Sequence, residues 1–136
     1  MSNKESASTK STPAIHWKNK PEEHDYPAAQ DYLELIMPPR SAAAVVKLLK
    51  KENVSKKKAK DIFRASRLAM LPATNPHVKS DLEKVHKGIL LSPLLLIRGS
   101  IGDNAPLVIA DGYHRLCASY SVDENAEVTC KIVTFG

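Results

Sequence analysis

Residues Pro93-Leu-Leu-Leu-Ile97 form an apolar run with no polar alternation. Successive side chains of a strand point to opposite faces, so such a run is stable only where both faces of the sheet are covered. The chain must therefore supply packing elements to two sides of a sheet. A second apolar strand, Leu107-Val-Ile109, follows a loop from Arg98 to Asn104 that holds Gly99 and Gly102. Ahead of the pair, Ser80-Asp-Leu-Glu83 reads as a capping box, with Ser80 as cap and Glu83 reaching back. The helix it opens would turn Leu82, Val85 and Ile89 inward, and Gly88 falls where a C-terminal cap is expected. Behind the second strand a helix begins at once, and a polar turn at Asp123-Glu-Asn125 leads to a β-branched strand, Val128 to Thr134. The order helix, strand, strand, helix, strand defines a small α/β (α+β) unit.

The first half of the chain reads differently. Residues 1–23 are rich in Ser, Thr, Lys, Pro and Glu, with Ile15 and Trp17 as their large apolar groups, which predicts a flexible tail. From Asp25, the spacing of Ala29, Leu33, Ile36 and Met37 predicts a helix ended by Pro38-Pro39. Ser41 is placed to cap a second helix carrying Val45, Val46, Leu48 and Leu49. After a break at Asn53 and Ser55, Ala59, Ile62, Phe63 and Ser66 mark a third helix. Leu68 to Leu71 reads as a short edge strand closed by Pro72 and Asn75-Pro76. Three segments result: a tail at 1–23, a basic helical extension at 24–67, and an α/β domain at 68–136.

Charge separates the extension from the rest. The whole chain carries a formal net charge of +5. Ser41 to Arg67 contains seven lysines and two arginines against Glu52 and Asp61, so the remainder is slightly acidic. A local basic patch is a statement about a partner surface. Lys56, Lys57, Lys58, Lys60 and Arg64 could track a nucleic-acid backbone, and two short helices about an Asn-Val-Ser turn resemble a helix-turn-helix. The turn lacks the usual glycine, and no aromatics interleave for base stacking. A solvated face and an acidic protein partner are the other readings.

Several classes are excluded or disfavoured. No apolar run approaches the roughly 20 residues that span a bilayer, so no membrane partner is expected. Residues 1–10 lack the apolar core of a secretory signal, and a cytoplasmic location is expected. Cys117 and Cys130 form no CxxC pair and read as reduced, buried thiols. No Asp/Glu/His cluster has metal-ligand spacing. A homodimer through the N-terminal helices has no heptad pattern behind it.

Chemistry concentrates in Asp111-Gly-Tyr-His-Arg115, where a strand turns directly into a helix. The first amides of a helix lack intrahelical acceptors and carry the positive end of the macrodipole, which makes an anion site. Asp111 can cap the helix or accept from a ligand, and Gly112 allows φ > 0 and close approach of an oxyanion. Arg115 can grip phosphate bidentately, and His114 can donate to the same group or move a proton near neutral pH. Tyr113 lies in the turn, and Ser119 one helical turn on leaves room for a ligand. The plain alternative is an ordinary helix start with a surface His and Arg.

From Asn75-Pro-His-Val78 through Gly88–Ile97 and Gly112-Tyr-His-Arg115 to Cys130-Lys-Ile-Val133, the chain resembles the ParB N-terminal/sulfiredoxin-like superfamily over residues 68 to 136. The resemblance implies a small mixed sheet and a G-x-x-R turn that binds nucleotide phosphates. Gly112, His114 and Arg115 would then be phosphate contacts, with His77 near the place of a pocket arginine and Ser92 as a strand-edge hydroxyl. It also implies ATP, ADP or CTP as ligand, with Mg²⁺ held largely by phosphates and by Asp111. His114 is the candidate catalytic group, and hydrolysis or phosphotransfer remains open. Sulfiredoxins place a cysteine directly before the His-Arg pair; Tyr113 stands there, which argues against sulfinic-acid reduction. Partition proteins have two adjacent arginines and a downstream DNA-binding domain; here His114 replaces the first, and the sequence ends at Gly136. A sliding clamp is therefore not expected. The leading reading is a stand-alone nucleotide-binding domain. The alternatives are a DNA-associated adaptor using the basic helices and a nuclease-like protein, the latter disfavoured by the lack of clustered carboxylates.

Overall fold

The computed structural model describes residues 12–136. Among these, five helices and four strands follow in the order α1 (Asp25–Leu33), α2 (Pro39–Lys51), β1 (Ser55–Lys58), α3 (Ala59–Ser66), α4 (Pro76–His86), β2 (Leu94–Ile97), β3 (Val108–Asp111), α5 (Tyr113–Val122) and β4 (Glu127–Val133). The strands form one mixed sheet, ordered β1-β4-β2-β3. β4 runs parallel to β2 and antiparallel to β1, and β2 runs antiparallel to β3. The protein is a mixed α/β fold.

Both faces of β2 are covered, as its composition requires. Leu95 and Ile97 pack with Leu33, Val45, Leu49, Ala110 and Val133 beneath α1 and α2. Leu94 and Leu96 point the other way, into a cluster with Ile62, Ile109, Leu116, Val128 and Cys130 under α3 and α5. A smaller cluster of Val78, Cys117 and Ala118 joins α4 to α5. Each buried leucine contributes about 1.5–3 kcal/mol relative to exposure, so these two layers dominate the folding energy. Both cysteines are buried and free, and burial pushes their thiols up from the ordinary range.

The order α4, β2, β3, α5, β4 is the order that the sequence predicts. Gly88 takes φ +73° just past α4, where its amide bonds to Val85 O at 3.1 Å, a left-handed C-terminal cap. The start of α4 differs from expectation. Asn75 caps the helix, its Oδ1 accepting from the His77 and Val78 amides at 2.9 and 3.2 Å, with Pro76 at the first position. Ser80 is thus mid-helix, and Ile89 lies beyond the helix, half exposed. Likewise α2 begins at Pro39 without a side-chain cap, so Ser41 lies inside it. Residues 68–71 form no strand.

The largest correction concerns residues 55–58. They form an edge strand paired with β4 from Ser55↔Cys130 to Lys58↔Glu127, and no helix-turn-helix is built. All four residues are exposed, so no hydrophobic period marks the strand. Lysines on a sheet edge discourage pairing with other chains. Segment 24–67 is accordingly more than a helical extension: it supplies one strand of the sheet and the helices over one face. Part of the expected tail is also fixed. Trp17 bridges to Leu91, with Lys18 N–H donating to Leu91 O and Leu91 N–H donating to His16 O, each at 2.8 Å. The part of that tail at residues 1–11 lies outside the described residues. No helix among the described residues is long and apolar enough to cross a membrane.

Candidate functional site

The β2–β3 pairing is irregular at the end of β3. Leu95 registers with Asp111 but Leu96 with Ile109, so one extra residue on β3 is accommodated there. Bulges of this kind re-aim side chains at strand ends. Gly112 follows with φ +107° and ψ 14°, and its missing Cβ would sit 2.6 Å from Leu94 Cγ. Only glycine lets the chain turn this close to the buried strand. α5 then starts with no side-chain cap, leaving its first amides available.

The turn gathers its polar residues around a cavity of about 280 Å³ between α4 and the start of α5. His77 and His114, each second in its helix, bring their rings to a centroid separation of 4.8 Å. Tyr113 borders the same cavity and donates its hydroxyl to Ala69 O. Lys84 lies across from them, 3.8 Å from Asp81. His114 is held below the usual imidazole range, first by burial and then by His77. Burial pushes the Asp81 carboxyl up, against the pull of Lys84. Burial likewise raises Tyr113 above an ordinary phenol, with Cys117 adding to the shift.

Asp111 does not cap α5. Its Oδ2 accepts from Arg115 Nη2 at 2.9 Å, an i, i+4 ion pair in which both side chains are 17% exposed. Burial raises the Asp111 carboxyl despite the neighbouring guanidinium. Arg115 Nη2 also reaches Pro93 O at 3.4 Å, and its buried Nε has no hydrogen-bond partner. Arg115, with Asp81 and Lys84, borders both this cavity and a second one of about 240 Å³.

Ser92 belongs to that second cavity, and its hydroxyl donates to the buried carboxylate of Asp25 while accepting from Glu22 N–H at 3.1 Å. Ser119 is displaced from any site: it is fully buried and its hydroxyl donates to Arg115 O at 2.8 Å, the i−4 carbonyl. Of the sequence-predicted residues, His77, Asp111, Gly112, Tyr113, His114 and Arg115 converge on one cavity. Lys56, Lys57 and Lys58 lie on edge strand β1, with Lys60 and Arg64 on α3. Along β1 successive side chains leave on opposite faces, which divides the three lysines. Arg64 pairs with Asp61 at 3.6 Å.

Ser80, Asp81 and Lys84 also line the cavity, and the turn motif alone does not point to them. With His77 they repeat at three- and four-residue steps, the polar stripe of one helical face. A helix start at Pro76 makes that stripe readable; a start at Ser80 hides it. No group of three or more His, Cys, Asp or Glu among the described residues is placed to hold a metal ion. Asp111, the carboxylate expected to meet such an ion, is paired with Arg115.

No family model matches the chain, and no curated protein or solved structure matches it either.

Proposed function

We propose that the cavity between α4 and α5 binds the phosphates of a nucleotide, in a domain of the ParB N-terminal/sulfiredoxin-like type. The observation that carries this reading is the uncapped start of α5, turned by Gly112 into a cavity that also holds His77, Lys84, His114 and Arg115. Free amides at a helix start, a left-handed glycine and cationic or proton-donating side chains form an oxyanion cradle. The orphaned Nε of Arg115 adds a donor in need of an acceptor.

In this reading the amides of α5 and Lys84 hold phosphate oxygens. Arg115 contributes once its pairing with Asp111 rearranges. His114, held below the usual imidazole range by burial and by His77, is drawn toward its protonated form as the anion enters and becomes a second donor. The same imidazole is placed to move a proton in hydrolysis or phosphotransfer. Tyr113 stands where a sulfiredoxin would carry its cysteine, which argues against sulfinic-acid reduction.

Calorimetric titration with ATP, ADP and CTP, each with Mg²⁺, tests the proposal on wild type, Arg115→Ala and His114→Gln. A saturable heat with at least one nucleotide, weakened in both variants, is the expected result. Negligible heat in all three proteins refutes the reading. The DNA-adaptor alternative predicts the converse: charge reversal at Lys56, Lys57 and Lys58 abolishes binding to DNA, and Arg115→Ala is tolerated.

A further inference from the structure

On the other side of the sheet, the segment leading into α1, the C-terminal end of α2 with the loop after it, and β4 enclose a separate cleft of about 510 Å³. Its floor is Lys131, in the middle of β4 and only 6% exposed. A buried ammonium is costly unless its charge is answered, and lysine is almost never fully buried unpaired. Among the described residues no carboxylate forms an ion pair with Lys131. Its Nζ donates to Tyr26 Oη at 3.2 Å and to Lys50 O at 3.4 Å, which answers two of three N–H groups and supplies no countercharge.

A second cation stands beside it. Lys50 Nζ stands 5.4 Å from the Tyr26 ring centroid and Lys131 Nζ 5.8 Å, so two ammoniums share one phenol. Lys20 and Lys51 join them at the cleft, opposed by Glu23 and Glu52, which leaves two positive charges in the lining. The Tyr26 oxygen accepts from Lys131, so its own hydrogen is free to point at an acceptor. Pro21 and Val54 supply apolar wall, and the volume exceeds that of a bare inorganic anion.

We propose that this cleft binds a small organic dianion, a phosphate ester or a dicarboxylate, whose charged group sits on Lys131 and the Tyr26 hydroxyl. The site is independent of the cavity at α5, on the opposite face of the sheet, and stands whether or not a nucleotide binds there. An anion here would neutralise the two lysines on Tyr26 and lock α1 to the end of α2.

Two-dimensional amide NMR and thermal unfolding, with inorganic phosphate and with succinate as probes, test the proposal at constant ionic strength. Wild type should show saturable shifts at Lys131, Tyr26 and Lys50, and a rising Tm with one or both probes. The probe that acts distinguishes a phosphoryl from a carboxylate ligand. Lys131→Met should weaken binding about tenfold or more, the loss expected for a charge-assisted hydrogen bond. The exposed pair Lys20→Ala/Lys51→Ala gives a second readout that spares the core, and it should weaken binding in the same direction. His114→Gln, which alters only the α5 cavity, should leave these shifts in place. Shifts confined to α4 and α5, or a response equal to that of chloride at the same ionic strength, would overturn the proposal.

Discussion

Replacing Gly112 by alanine isolates the geometry on which the candidate site depends. The residue has φ +107°, a conformation that costs an L-residue about 1–2 kcal/mol. Its new Cβ would stand 2.6 Å from Leu94 Cγ and 3.0 Å from both Leu94 Cδ1 and Arg115 Nη2. Leu94 is fully buried in β2 and cannot swing away, so overpacking adds about 1–3 kcal/mol. The total, roughly 3 kcal/mol, is a large fraction of an ordinary domain's stability and should lower Tm by about 10 °C. Gly88 is the control, because it also has positive φ, +73°, yet an added Cβ meets nothing within 4 Å. Gly88→Ala should cost only the backbone term, about 1 kcal/mol or about 4 °C. Differential scanning calorimetry on both variants reads the difference. Equal losses would refute the claim that Leu94 and Arg115 crowd the turn.

Capping offers a second contrast. Asn75→Ala should destabilise by about 1 kcal/mol in chemical denaturation while Ser80→Ala changes little, since Asn75 and not Ser80 holds the first amides of α4. The His114 imidazole should titrate below an ordinary histidine by NMR. Because folding favours its neutral form, its contribution to stability is present above the ordinary imidazole value and is lost as pH falls through the lowered one. Addition of a phosphate ligand should raise that titration point. The raised carboxyls of Asp81 and Asp111 act with opposite sign, their contribution being present below the ordinary carboxylate value and lost as pH rises through the shifted ones. Asp111→Asn should flatten that part of the pH–stability curve. Replacing Lys56, Lys57 and Lys58 by threonine should raise concentration-dependent self-association in light scattering, because β1 is an exposed sheet edge.

The elements from α4 to β4 are legible because burial leaves a pattern. β2 is apolar at every position since both of its faces are covered, and Asp111-Gly112 is the turn chemistry that a strand-to-helix switch needs. β1 leaves no such trace. Ser-Lys-Lys-Lys is exposed throughout, and only pairing with β4, distant in sequence, makes it a strand. The sequence points to Ser80 as the cap of α4, but the cap falls at Asn75 because Pro76 pre-sets the first helical position. That placement decides whether Asp81 and Lys84 join the site. The Asp111–Arg115 pair is hidden for a different reason: the i, i+4 spacing across the turn competes with capping. Lys131 sits unmarked within a β-branched strand, and only the packing of Tyr26 over it reveals a buried cation.

The most direct test follows the backbone amides of Gly112, Tyr113, His114 and Arg115 by NMR during titration with ATP, ADP and CTP in the presence of Mg²⁺. Bound phosphate should move all four saturably with at least one nucleotide, together with the His77 ring and the Lys84 side chain. Amides at the start of α5 that stay fixed through millimolar nucleotide, or shifts confined to residues 56–64, would contradict it.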